Sequence, residues 1–299
     1  MRRRFLGRLL AGSAAMACLP MWARANDAAD VDHQTKHQQP QAATKESAAA
    51  QHQAAMEKHA EALKGDLVKI GFLIYPGMFL QDLVGPLAVF ESLMNREIYL
   101  LWKDKAPVVN DDGSPTLIPV QASHTFAECP EHLDVLLVPG GGSGTLSMME
   151  DQEVLHFLRE QGKNAKFIAS VCTGSLILGA AGLLQGYRAS SYWAALDVLK
   201  DLGAIPVKKR VVIDRNRMTG GGVTAGIDLA LTIVPQLRSV EYAKIVQLYL
   251  EYDPQPPFDA GSPSKAPPAA KRFILDMFEG FVSTAREAAK RARASWPSV

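Results

Sequence analysis

Cysteine is scarce in this chain. Three in 299 residues, Cys18, Cys129 and Cys172, cannot staple a protein of this length, so each must be judged on its local setting. No excess of charge of either sign exists. Lys and Arg number 32 against 31 Asp and Glu, a formal net charge of +1, which excludes nucleic-acid binding through a large basic field. Histidine is sparse where it would matter: of seven, His33, His37, His52 and His59 precede residue 66, and His124, His132 and His156 read as lying in a loop, a loop and a surface helix. His33 and His37 are spaced i,i+4, but Pro40 and polar surroundings favour solvated side chains over a metal site. No H-E-x-x-H or C-x-x-C cluster is present, so no metal is expected. Long hydrophobic runs are also missing, since the apolar stretch from Leu9 to Trp22 is too short to span a bilayer and Pro20 interrupts it. What remains, 47% hydrophobic and 21% charged residues, describes a soluble globular chain with a sizeable core.

The chain reads as four parts. Residues 1–25 have the order of a signal peptide: Arg2-Arg3-Arg4 before Phe5-Leu6, a short apolar stretch, then Ala23-Arg24-Ala25 as a cleavage site. The paired arginines resemble a twin-arginine export signal, which predicts a periplasmic protein with no membrane association after cleavage. Loss of five arginines with this segment would take the net charge from +1 to −4. Residues 26–66 form a polar linker, in which Thr44 to Leu63 has good helix formers. Residues 67–265 alternate continuous apolar runs with helical patterns, which implies a mostly parallel sheet covered by helices on both faces. Strands are predicted over 68–74, 98–103, 133–138, 166–171 and 210–214, with a hairpin over 108–120 turning at Asp112-Gly113. Helices are predicted over 80–94, 151–163, 173–184, 192–202, 225–237 and 240–250. Residues 266–299 extend the chain with a basic amphipathic helix from Ala269 to about Ala294, expected to pack on a neighbouring surface or a dimer partner.

In such a sheet, ligands bind beyond the carboxyl ends of the strands, and three segments meet that condition. Ser170-Val171-Cys172-Thr173-Gly174-Ser175 sets Cys172 where a buried strand turns abruptly into a helix, whose first amides would favour a thiolate. A small buried core residue is the competing reading of Cys172. Asp82, in Gln81-Asp82-Leu83-Val84-Gly85-Pro86, is either a helix N-cap or an acid whose proton affinity is raised by an apolar pocket. Gly140-Gly141-Gly142-Ser143-Gly144 offers backbone N–H groups for an anion or oxyanion, with a simple turn as the alternative. Its spacing is not G-x-G-x-x-G, so no dinucleotide cofactor is expected.

At these residues the sequence resembles the DJ-1/PfpI superfamily and, within it, the isocyanide hydratase branch. The likeness covers about Lys69 to Ala266. It rests on Asp82-Leu83-Val84-Gly85-Pro86, Val138-Pro139-Gly140-Gly141, Ser170 to Ser175, Leu178 to Leu184, Thr219 to Asp228 and Leu250 to Phe258. The resemblance implies a flavodoxin-like α/β sandwich related to class I glutamine amidotransferases, homodimeric and without cofactor. It also implies a lyase in which Cys172 attacks the carbon of a small isocyanide, Asp82 handles the proton and Thr173 contributes beside the cysteine. Water would release an N-substituted formamide from the thioimidate. Gly141, Gly142 and Tyr192 are the candidate substrate-binding residues. Relatives carry Thr-His-Trp where this chain has Ser191-Tyr192-Trp193, so the pocket and substrate are expected to differ here.

Two other functions compete with a hydratase. One is a hydrolase or glyoxalase-like member of the superfamily, which would be expected to use a histidine partner. The other is a non-catalytic ligand or redox sensor built on Cys172. An oxidising compartment would also permit a Cys129–Cys172 bridge.

Overall fold

Val68-Lys69-Ile70-Gly71-Phe72-Leu73 places apolar residues at consecutive positions, as a strand covered on both faces requires, and forms β1 (Val68–Leu73). The computed structural model describes residues 45–109 and 118–296. The signal segment, the first part of the linker with His33 and His37, Cys18 and the expected turn at Asp112-Gly113 lie outside the described residues. The chain divides into two units, one ending at Gln51 and the other beginning at His52. Helices over Lys45–Lys58 and Ala60–Leu63 occupy the stretch whose composition predicted them.

The second unit is built on a seven-stranded sheet. After β1 come β2 (Arg96–Trp102), β3 (His124–Thr125), β4 (Val135–Val138), β5 (Phe167–Val171), β6 (Val211–Asp214) and β7 (Arg217–Gly220). Their spatial order is β6-β7-β5-β4-β1-β2-β3. All neighbours run parallel except β6, which pairs antiparallel with β7. The chain thus proceeds from β1 outward to β3 on one side, then crosses to β4 on the other. That reversal opens a crevice at the carboxyl ends of β1 and β4.

Helices α1 (Leu80–Glu91), α5 (Ala225–Leu237) and α6 (Val240–Tyr249) pack together over one face of the sheet. On the other lie α2 (Ser143–Met148), α3 (Gln152–Asn164), α4 (Gly174–Ala180) and α7 (Pro268–Ala294). Phe72 of β1 meets Phe90 of α1 edge to face at 6.1 Å, an arrangement worth roughly 0.5–1.5 kcal/mol beyond burial alone. Asp151 caps α3 by accepting from the amides of Glu153 and Val154.

Several expected elements differ for identifiable reasons. β7 is not predicted, because Arg217-Met218-Thr219-Gly220 has little apolar character, yet all four residues are buried. The Arg217 guanidinium is accommodated by donating to the Leu183 carbonyl at 2.6 Å and the Asn216 side chain at 2.7 Å while lying over the Tyr187 ring. The helix after Cys172 stops at Ala180, not Leu184, since Gly182 turns the chain out at φ +79°. A helix over 192–202 is also expected, but only Val198–Asp201 is helical. Ser190 and Ser191 tie the start of that segment to β7 and to the end of β5, through Ser190 N–H to Thr219 Oγ1 (2.7 Å) and Ser191 Oγ to the Cys172 carbonyl (3.2 Å). His124 lies on the short edge strand β3, where a loop is expected. The hairpin expected over 108–120 appears as Pro107–Val108 paired antiparallel with Val120–Gln121.

The terminal helix, expected on a partner or neighbouring surface, lies on its own chain. Ala285, Ala288, Ala289 and Ala292 recur at helical spacing, are buried, and bring α7 close against α4 and Val198–Asp201. Arg286 pairs with Asp201 at 3.2 Å, Arg291 with Glu150, and the Trp296 indole donates to the Ala180 carbonyl at 2.9 Å at the end of α4. Enlarging a seam residue should therefore cost more than the same change on the exposed face. Ala289→Leu should lower stability by about 1–3 kcal/mol in urea denaturation, and Ala270→Leu by less than about 0.5 kcal/mol.

Candidate active site

β5 ends at Val171 and α4 begins at Gly174, leaving Cys172 and Thr173 to reverse the chain. Cys172 makes that corner at φ +57°, a left-handed conformation costing a residue with a Cβ roughly 1–2 kcal/mol. The surroundings hold it there. The Cys172 carbonyl accepts from both Ser175 Oγ and Ser191 Oγ at 3.2 Å, and its N–H donates to the Gly220 carbonyl of β7 at 3.2 Å. Gly174 has no room for a side chain, since a Cβ there would stand 2.2 Å from the Val138 carbonyl oxygen. The close approach locks the elbow against the end of β4.

Asp82 belongs to the first turn of α1 but is not its cap, which falls to Phe79. Its carboxyl group reaches across the crevice. Oδ2 accepts from the Gly140 N–H at 2.9 Å, while Oδ1 is buried and has no hydrogen-bond partner. Gly140 is required for this approach, because a Cβ would lie 2.6 Å from the Thr173 nitrogen and 2.9 Å from Asp82 Oδ2. Ends of three strands, β1, β4 and β5, thereby bring Asp82, Gly140 and Cys172 together.

The electrostatics follow from dryness. Asp82 is fully buried, and desolvation pushes its carboxyl up to about 7, with the Gly140 amide and the neighbouring Cys172 thiol pulling the other way. The thiol is shifted upward as well, first by burial and then by the neighbouring Asp82 charge, with Thr173 pulling the other way. This corrects the expectation of an exposed, ready-made thiolate. Cys172 is 7% exposed, and burial favours the protonated thiol beside a carboxyl whose own ionisation is pushed up to about 7.

The glycine loop is also busier than expected. The Gly140 amide serves Asp82, and the Gly141 amide donates to Thr173 Oγ1 at 3.0 Å, so neither is free for an oxyanion. Gly142 is exposed and faces open space where a Cβ would stand. Thr173, 1% exposed, returns a bond from Oγ1 to the Gly141 carbonyl at 2.9 Å. Tyr192 is half-buried, and its hydroxyl is pushed up first by burial, with a smaller contribution from Cys172.

Four contributors escape sequence reasoning. Tyr75 and Thr145 are buried hydroxyls behind Thr173, with Thr145 Oγ1 2.9 Å from Thr173 Oγ1 and 3.4 Å from the Tyr75 hydroxyl. Ser175 steadies the elbow. Phe278 of α7 lies against the Tyr192 ring at 4.8 Å, so the terminal helix reaches the vicinity of the cysteine. The signal that could have found them is the polar Tyr75 at the end of the apolar run after β1. Cys129 and Cys172 are both free thiols. Among the described residues, no group of three His, Cys, Asp or Glu is placed to hold a metal.

Comparison with known proteins places the chain in a family. A model of the DJ-1/PfpI family matches residues 68–236, a stretch holding Asp82, Gly140 and Cys172. The chain is 52% identical over 202 residues to an isonitrile hydratase of Pseudomonas putida, covering 68% of this chain and 86% of that protein. It is 30% identical over 192 residues to the HTH-type transcriptional regulator GbdR of Pseudomonas aeruginosa, covering 50% of that protein. Among solved structures, a THiJ/PfpI family protein from Pseudomonas syringae superposes with a TM-score of 0.74 at 46% identity, covering 78% of this chain and 94% of that one.

A carboxyl that ionises at about 7 in the folded chain and near 3.8 when unfolded leaves a mark on stability. Between those values the native state keeps a proton that the unfolded chain has released, so stability falls as pH rises through that window. The loss attributable to Asp82 is on the order of 4 kcal/mol by pH 8. Asp82→Asn should lose correspondingly less stability than wild type between pH 4 and pH 8 in urea titrations. An identical pH dependence would show that the carboxyl is not desolvated.

Proposed function

Because the chain belongs to the DJ-1/PfpI family, we propose that it is an isocyanide hydratase using Cys172 as nucleophile and Asp82 as acid and base. The observation that carries this reading is the 52% identity to an isonitrile hydratase along 86% of that protein. The dry Cys172–Asp82 pair supplies chemistry to match.

An isocyanide, R–N≡C, offers a terminal carbon of low polarity, suited to a soft sulfur nucleophile. Ionised Asp82 removes the thiol proton as sulfur forms its bond to that carbon. The same carboxyl returns the proton to the carbon, leaving the thioimidate R–N=CH–S–Cys172. Water then adds to the thioimidate carbon, with Asp82 taking a proton from it and the nitrogen gaining one. The C–S bond breaks, the thiol is restored, and R–NH–CHO leaves. The balance is one isocyanide and one water to one formamide, with no cofactor required.

In this reading Thr173 steadies the sulfur and the glycine loop, and Gly142 and the Tyr192 ring meet the substituent R. Tyr192, backed by Phe278, offers an aromatic surface in place of a histidine. A homodimer and a periplasmic location belong to the same reading. The export signal is tested by cell fractionation: replacing Arg2, Arg3 and Arg4 with lysine should retain the protein in the cytoplasm.

Turnover of an alkyl isocyanide, followed as formamide, tests the chemistry. kcat/KM should rise with pH through about 7, as Asp82 ionises. Cys172→Ala should abolish turnover, and Asp82→Asn should reduce it by about 10²–10⁴-fold. No turnover by wild type would sink the assignment, and turnover by Cys172→Ala would sink the mechanism.

A further inference from the structure

Three buried hydroxyls stand behind the elbow with fewer protons than partners. The Tyr75 hydroxyl donates to the Pro139 carbonyl at 2.8 Å, which fixes its proton. Thr173 Oγ1 accepts from the Gly141 N–H at 3.0 Å and lies 2.9 Å from the Gly141 carbonyl. Thr145 Oγ1 lies 3.2 Å from that same carbonyl and 2.9 Å from Thr173 Oγ1. Each threonine has one proton, and both can reach the one oxygen.

Two arrangements satisfy the cluster. In the first, Thr173 donates to the Gly141 carbonyl and Thr145 donates to Thr173. In the second, Thr145 takes over the Gly141 carbonyl, and the Thr173 proton is released to turn elsewhere. Thr173 follows Cys172 directly at the elbow between β5 and α4, and its side chain favours the charged form of the sulfur.

We propose that Thr145 is a positioning residue that switches the Thr173 hydroxyl from the Gly141 carbonyl to the Cys172 sulfur when that sulfur ionises. The exchange needs only two hydroxyl rotations, with no heavy atom displaced. A charge-assisted hydrogen bond thus appears only in the charged state, where it helps the nucleophile form. Thr145 is fully buried on α2, within a hydroxyl cluster shielded from water that would otherwise compete for these protons.

The inference rests on Cys172 acting as a nucleophile, but its test needs no isocyanide. Iodoacetamide alkylates the thiolate: a C–S bond forms, iodide leaves, and the thiol proton passes to solvent. Mass spectrometry of the Cys172 peptide follows the rate between pH 7 and pH 9. Thr145→Val should slow alkylation by about tenfold at each pH, because the thiolate fraction falls with a rise of about one pH unit in ionisation. Thr145→Ser, which keeps the hydroxyl, should restore the wild-type rate. If Thr145→Val does not fold, Thr145→Ala carries the same expectation. A wild-type alkylation profile in the hydroxyl-free variant would overturn the proposal. Equal slowing by Thr145→Ser, which keeps the hydroxyl and loses only a methyl group, would assign the effect to packing and overturn it too. Failure of isocyanide turnover with the alkylation shift intact would refute the hydratase reading and leave the switch standing.

Discussion

The bond from the Gly140 amide to Asp82 Oδ2 is the interaction on which the site depends. It joins the segment after β1 to the segment after β4 at the point where the sheet's winding reverses. One oxygen of the carboxyl is satisfied and the other is left buried without a partner. A carboxyl in that state cannot spread its charge into water, so it holds its proton more tightly, and the Cys172 thiol lies beside it. The local geometry follows: Gly140 admits the carboxylate, Gly174 admits the elbow, and two serine hydroxyls hold the Cys172 carbonyl in a backbone state it would not otherwise choose.

Much of this was legible in the sequence, for physical reasons that also mark where legibility ends. β1, β4 and β5 announce themselves because a strand covered on both faces must be apolar throughout. β7 does not, since Arg217 and Thr219 are buried only by virtue of partners such as Leu183 and Ser190 that lie far away in the chain. Cys172, Asp82 and Thr173 are readable because they sit at strand ends, where chemistry collects, and because their neighbours match a known family. The state of the sulfur is not readable. A strand-to-helix corner suggests a stabilised thiolate, but the helix has only seven residues and burial outweighs what its amides offer. Free amides at Gly140 and Gly141 were likewise a fair expectation of a glycine run, and they are consumed by partners 58 and 32 residues away.

The terminal helix shows how an appended segment comes to matter at a site it does not belong to by sequence. Four alanines let α7 lie flush on α4, the helix that begins at the elbow, and Trp296 closes the end of that helix. The same placement brings Phe278 to Tyr192, so the last helix covers one of the candidate substrate-binding residues.

Keeping the Cys172 proton in place has a consequence for the lifetime of the enzyme. Peroxides attack thiolates far faster than thiols, and the sulfinic and sulfonic acids that follow are dead ends. A sulfur held as the thiol is spared that wear, so the burial that raises its ionisation also preserves it.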